Sequence, residues 1–97
     1  MRHFFRCHTH PDDVLAAADD FFPTIALTRT QSAARGRTFS GELGTLALTV
    51  RMEGGHYTFV EAHTDQMGES RLDRNVKKFF VRLHKQADPA HALDAAY

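Results

Sequence analysis

The sequence predicts a single α+β domain in which a long C-terminal helix packs across one face of an antiparallel sheet of about five strands. Three observations predict this class: a two-residue alternation over 44–53, the pair of glycines that follows it, and helical spacing of apolar residues over 70–85. The chain has 97 residues, the size of one domain with one core. We place that domain at residues 1–86 and expect residues 87–97 to form a frayed tail.

Composition places the chain among ordinary globular proteins. Its 42% apolar and 25% charged residues exclude the disordered and fibrous classes, and no segment has the roughly 20 apolar residues needed to cross a bilayer. Lysine plus arginine equals aspartate plus glutamate, 12 against 12, so no overall positive charge attracts the chain to phosphate backbones. We therefore expect neither a membrane nor a nucleic acid as partner.

The single cysteine and the first residues predict a reducing, cytoplasmic location. Cys7 has no second cysteine to bridge, whereas small secreted domains usually carry an even number. Beyond Phe5 the chain turns polar instead of continuing into the apolar run of a signal peptide. Cys7 itself is expected to be a buried apolar side chain, not a nucleophile.

The first elements are a short strand and a helix. Residues 2–9 mix phenylalanines with polar residues, which predicts a strand. A helix should run from Pro11, which suits the first helical position, to about Phe22, because Pro23 disfavours helical geometry in the residue before it. The predicted apolar side of this helix is formed by Val14, Leu15, Ala18, Phe21 and Phe22.

Four more strands are predicted before the last helix. Ile25 and Leu27 alternate with threonines as far as Thr30, and a second run over 37–42 follows the loop at 34–36. The alternation is clearest over 44–53. There the residues facing the core should be Leu46, Leu48, Val50 and Met52. The glycines 54–55 predict a two-residue hairpin turn, and 56–64 should form the last strand.

A two-residue turn would fix the register of this hairpin. The expected pairs are Met52 with Tyr57, Val50 with Phe59, Leu48 with Glu61 and Leu46 with His63. Glu61 and His63 would then share the core face with Tyr57, in a geometry that positions a general acid and a general base in a pocket. The alternative is a structural role for these ionisable groups at the strand end, paired with Arg29 or with each other.

The segment 70–85 predicts the long C-terminal helix, with Ser70 and Asp73 as a capping box. Its buried stripe should be Leu72, Val76, Phe79, Phe80 and Leu83. The opposite side carries a line of cations that we call the basic ridge: Arg71, Arg74, Lys78, Arg82 and Lys85. This ridge is either a solvated face or a surface that grips phosphate or an acidic protein.

Seven histidines raise the question of a metal site, especially the sequence His8-Thr9-His10 with His3 and Cys7 nearby. Two histidines at this spacing would bind together only on an extended strand, and the helix start at Pro11 indicates that the chain turns there. We therefore expect no metal and no other cofactor.

The predicted order is strand, helix, four strands and a long helix. This order resembles a shortened helix-grip domain of the START-like and polyketide-cyclase-like superfamily, and equally one repeat of the TATA-box-binding protein fold. The first resemblance implies a cavity between sheet and last helix that holds an apolar small molecule. The second implies an uncovered, concave sheet face that meets nucleic acid or protein partners, here formed by Thr45, Ala47, Thr49, Thr58, Val60 and Ala62.

Three functions remain open at this point. The first is a non-enzymatic module that binds an apolar small molecule or lipid in a cavity lined by Val50, Phe59, Glu61, His63, Val76 and Phe80. The second is an interaction module that forms a homodimer through its uncovered sheet face around Ala47, Val60 and Ala62. The third is a small enzyme that uses Glu61, His63 and Tyr57.

Overall fold

A computed structural model describes residues 1–87 of the chain. These residues form a five-stranded antiparallel sheet and two α-helices, which confirms the predicted class and order of elements. The elements are β1 (Arg2–Cys7), α1 (Pro11–Phe21), a 3-10 helix (Phe22–Ile25), β2 (Thr28–Ala33), β3 (Gly36–Gly41), β4 (Gly44–Glu53), β5 (Tyr57–Thr64) and α2 (Arg71–Ala87). The predicted tail lies outside the described residues from residue 88 onward.

The strand order is β1-β5-β4-β3-β2, with every neighbouring pair antiparallel. Strands β2 to β5 are joined by short turns, whereas β1 reaches its place beside β5 only because α1 carries the chain from one sheet edge to the other. Nδ1 of His10 caps α1 by accepting a hydrogen bond from the backbone N–H of Asp12 (3.1 Å). After Phe21 the chain tightens into the 3-10 helix, so β2 begins at Thr28 and the strand predicted over 25–30 is displaced.

Both helices cover the same side of the sheet, which we call the core face; within the described chain the other side, the open face, carries no helix. Leu46, Leu48 and Val50 are buried on the core face as predicted, whereas Met52, at the end of β4, is 50% exposed. The predicted apolar stripe of α2 is buried in full. No helix within residues 1–87 is long and apolar enough to cross a membrane.

The β4–β5 turn has three residues, not two, and this corrects the predicted register. Glu53 pairs with Tyr57 across the loop, and the backbone N–H of His56 donates to the carbonyl oxygen of Glu53 (3.3 Å). Because side chains alternate along a strand, the shift of one residue moves every side chain of β5 to the other face. The open face therefore carries Tyr57, Phe59, Glu61 and His63, and the core face carries Thr58, Val60, Ala62 and Thr64.

This shift changes the predicted composition of the open face. Thr45, Ala47 and Thr49 lie there as predicted. Val60 and Ala62, which were expected beside them, are fully buried on the core face. The open face is therefore richer in aromatic and charged side chains than the sequence indicates.

Candidate functional site

Helix α2 is anchored through the carboxylate of Asp73. The hydroxyl of Ser70 accepts from the backbone N–H of Asp73 (3.1 Å), which confirms the predicted cap. The Asp73 carboxylate in turn accepts hydrogen bonds from Ser70, from Thr64 of β5 (2.9 Å) and from Nε2 of His3 in β1 (2.7 Å). Burial acts to raise the pKa of Asp73, but these three hydrogen bonds outweigh it and leave that pKa below its usual range.

With its start fixed in this way, α2 lies beside the 3-10 helix and the turn between β3 and β4. A cleft of about 600 Å³ separates them, and we call it the α2 cleft. Its helical wall consists of Arg71, Arg74, Asn75 and Lys78, and its opposite wall consists of Thr24, Ile25, Ala26, Glu42 and Leu43. The volume is in the range of pockets that hold small organic ligands.

The helical wall is strongly positive. Arg71, Arg74 and Lys78 follow one another at helical spacing, and within residues 1–87 none of their cationic groups has an ion pair or a hydrogen bond. The described part of α2 carries six lysines and arginines against one acidic residue, Asp73, whose carboxylate is already engaged by β1 and β5. No ion pair or hydrogen bond within residues 1–87 therefore engages the three cations of the cleft.

The opposite wall is largely apolar and its shape is fixed by the backbone. Ile25 and Leu43 are half-buried and pack against the core. Ala26 ends the 3-10 helix in the left-handed conformation (φ 63°), where its N–H meets the carbonyl of Pro23 (3.1 Å). The carbonyl of Ala26 packs so closely on Gly41 that a side chain at that glycine would overlap it. Glu42 places a carboxylate on the same wall.

The sequence matches no protein-family model and no curated protein. The chemistry of the α2 cleft is therefore inferred from its own side chains. These include no histidine or cysteine, and they combine a cationic wall with an apolar one. Such a combination is complementary to a molecule with an anionic end and an apolar end.

The six residues predicted to line a cavity are not brought together. Val50, Val76 and Phe80 are buried between the sheet and α2, whereas Phe59, Glu61 and His63 lie on the open face. The space between sheet and helices is occupied by fully buried rings, with Phe22 5.1 Å from Phe39 and 5.0 Å from Phe79 between ring centroids. The six residues therefore do not line one common cavity, because their predicted grouping depended on the two-residue turn.

Phe59 lies on the open face, where two arginine side chains cover its ring and no helix packs against it within residues 1–87. The guanidinium groups of Arg6 and Arg51 lie 4.8 and 4.5 Å from its ring centroid, and the ring is only 7% exposed. Two flanking arginines thus shield an aromatic ring where the described chain provides no helix.

The three residues considered for acid–base catalysis share the open face and no enclosed pocket. Tyr57 is 44% exposed and His63 is exposed as well. Glu61 lies 3.7 Å from Arg2 in an ion pair. The predicted grouping of Tyr57, Glu61 and His63 on one face is right, but that face is the open face.

The structure divides the predicted basic ridge into two parts. Arg71, Arg74 and Lys78 line the α2 cleft, whereas Arg82 lies over the ring of Phe21 (5.8 Å to its centroid) and Lys85 is exposed beyond it. Sequence reasoning missed the opposite wall entirely. Pro23 and the turn before Gly44 are visible as chain breaks, but no local pattern places either of them beside α2.

The candidate metal ligands near the N-terminus have other roles. His3 is bound to Asp73, and His10 caps α1. Cys7 is buried as predicted, and burial raises the pKa of its thiol. Within the described residues, no group of three or more histidine, cysteine, aspartate or glutamate side chains is arranged to hold a metal ion.

Proposed function

We propose that this domain is a non-enzymatic binding module for a small amphiphilic anion, held in the α2 cleft. One observation carries the proposal: three cations without an ion pair in residues 1–87 face a largely apolar wall, which carries one carboxylate, Glu42, across a cleft of about 600 Å³. The helix-grip resemblance agrees with a ligand-binding role but not with the place of the site, because the space between sheet and last helix is filled here by Phe22, Phe39 and Phe79. In this chain the cationic wall adds a requirement for negative charge.

The two walls contribute different free energies. A carboxylate or phosphate that receives charge-assisted hydrogen bonds from Arg71 and Arg74 gains about 1.5 to 3 kcal/mol for each such bond. An alkyl or aromatic group against Ile25 and Leu43 gains about 25 cal/mol for each Å² of apolar surface removed from water. A ligand that has both parts therefore binds more tightly than either part alone.

A matched series of probes tests this proposal. Octyl phosphate carries both parts, inorganic phosphate lacks the tail, and octanol lacks the charge. Titration followed by calorimetry and by backbone amide shifts should show binding by octyl phosphate that exceeds binding by the other two. Equal affinity for octanol would contradict the role of the cations, and equal affinity for inorganic phosphate would contradict the role of the apolar wall.

Two substitutions in the cleft should move affinity in opposite directions. Arg74→Gln removes a charge-assisted bond and should weaken octyl phosphate binding about tenfold or more. Glu42→Gln removes from the opposite wall a negative charge that repels the phosphate, so it should strengthen octyl phosphate binding about two- to fivefold. Lys85→Gln makes the same charge change on α2 outside the cleft and serves as the control. A loss with Lys85→Gln as large as with Arg74→Gln would indicate general charge attraction and no specific site.

A further inference from the structure

The open face is divided into two unlike halves. The half formed by β1, β5 and the end of β4 carries large side chains, which include Arg2, Phe4, Arg6, Tyr57, Phe59 and Glu61. The half formed by β2, β3 and the start of β4 is uncharged, with small side chains at most positions: Ala33, Gly36, Thr38, Thr45, Ala47 and Thr49. We call these the bulky half and the small half.

The two halves have complementary shapes. On the bulky half Phe4 is 55% exposed and Tyr57 is 44% exposed, although each is a large apolar ring. On the small half a groove of about 420 Å³ runs along residues that include Gly36, Thr38 and Ala47. The same surface therefore presents both projecting rings and a recess that is open to receive them.

Charges on the bulky half are already paired within the chain. Arg6 donates to Glu53 (2.9 Å), Arg51 also lies 3.7 Å from Glu53, and Arg2 lies 3.7 Å from Glu61. No arginine of this half is left unpaired to bind a phosphate backbone. A second copy of the same surface meets no unpaired like charge, which suits self-association.

We propose that two copies of this chain form a two-fold dimer through their open faces, with Phe4 of each copy seated on the small half of the other. β4 is the central strand, so a two-fold axis parallel to it places β1 of one copy over the partner's β2. The register aligns five open-face residues across the sheet: Phe4, Glu61, Thr49, Gly36 and Ala33. Each Phe4 thus lies over the partner's Ala33 and Gly36, where side chains are smallest.

Other two-fold arrangements do not use this complementarity. An axis that crosses the strands would set β1 over the partner's β1, so that projecting rings meet projecting rings and both grooves stay empty. Only the axis along β4 places a bulky half over a small half on both sides of the interface. Face-to-face sheets about 10 Å apart then interdigitate as in a β-sandwich.

The area of the open face is sufficient for such a dimer. The five strands have 6 to 10 residues, about seven on average, and at about 4.8 Å spacing they present roughly 570 Å² per copy. The pair therefore buries about 1,100 Å², in the size range of transient protein interfaces, and we expect a dissociation constant in the micromolar range.

Sedimentation velocity across the micromolar range tests the dimer. Phe4→Lys places a charge over the small half and should raise the dissociation constant about tenfold or more. Ala33→Glu places a charge under the partner's Phe4 and should also raise the dissociation constant about tenfold or more. Because Phe4 is 55% exposed and Ala33 is exposed, both variants should fold, as circular dichroism will show. Val81→Lys on α2 alters another exposed apolar residue (54%) and should leave the dissociation constant unchanged.

Mixing the two variants tests the pairing itself. In the mixed dimer one contact joins Lys to Glu and the other joins the native Phe4 and Ala33, so dimers should reappear. Failure of the mixture to dimerise would overturn the placement of β1 over β2. A wild-type chain that stays monomeric, or that binds a single-stranded oligonucleotide through Phe4 as a monomer, would overturn the dimer.

Discussion

Among single residues, Asp73 joins more of the structure than its place in a helix cap indicates. Its carboxylate links α2 to β5 through Thr64 and to β1 through His3, although 70 residues separate it from His3 along the chain. The residue is 1% exposed and its hydrogen bonds favour the ionised form. The charge of Asp73 therefore stabilises the folded chain only while the carboxyl is deprotonated.

We expect Asp73→Asn to remove a pH-dependent part of the stability. The folded pKa of Asp73 lies below its unfolded value, so its stabilisation is complete above about pH 4 and is lost as the pH falls through the folded pKa. At neutral pH the variant should lose about 2 kcal/mol of unfolding free energy, and the difference from wild type should shrink in acid. Urea unfolding across this pH range measures both effects. The control is Glu69→Gln at an exposed carboxylate, and a difference that stays constant with pH would contradict the assignment.

At the scale of elements, β5 separates the two faces of the sheet, and two substitutions reveal its register. Val60 is fully buried on the core face, so Val60→Lys should destabilise the fold by about 4 kcal/mol or more. His63 lies on the open face, so His63→Lys should change the free energy of unfolding by less than about 0.5 kcal/mol. Thermal and urea unfolding distinguish them, and a soluble, stable Val60→Lys variant would contradict the register.

The same strand shows why the sequence predicted the elements but not all of the pairing. In β4 only one set of alternate positions carries large apolar side chains, so the pattern alone predicts which face is buried. In β5 both sets of alternate positions are apolar enough to be buried, with Tyr57 and Phe59 on one and Val60 and Ala62 on the other. The predicted register therefore depended on the length of the turn. The glycine pair predicts a two-residue turn, whereas the loop also includes a third residue, His56.

Helix α2 shows a similar division between local and long-range information. Its bounds, its cap and its buried stripe follow from residue spacing and were predicted within one or two residues. The α2 cleft was not predicted, because it requires the 3-10 helix and the β3–β4 turn to lie beside that helix. Only the cationic half of the site, Arg71, Arg74 and Lys78, was visible as part of the basic ridge.

At the scale of the whole molecule, the two proposed surfaces lie on opposite sides of the sheet. The α2 cleft is on the helical side, and the open face is on the other. If no conformational change connects them, a ligand in the cleft has the same affinity for monomer and dimer. We therefore expect saturating octyl phosphate to change the dimer dissociation constant by less than about twofold. Sedimentation with and without the probe measures this, and a larger change would indicate that the sheet transmits binding from one side to the other.

The place of β1 beside β5 has a consequence for the order in which the chain folds. As the ribosome makes this chain, β1 emerges before the other four strands, and its partner strand at residues 57–64 is synthesised much later. β2 to β5 meet through short turns, whereas β1 has to close a loop of most of the chain. Phe5 and Cys7 therefore stay unpaired until the rest of the sheet exists, and the docking of β1 is the step that completes the core.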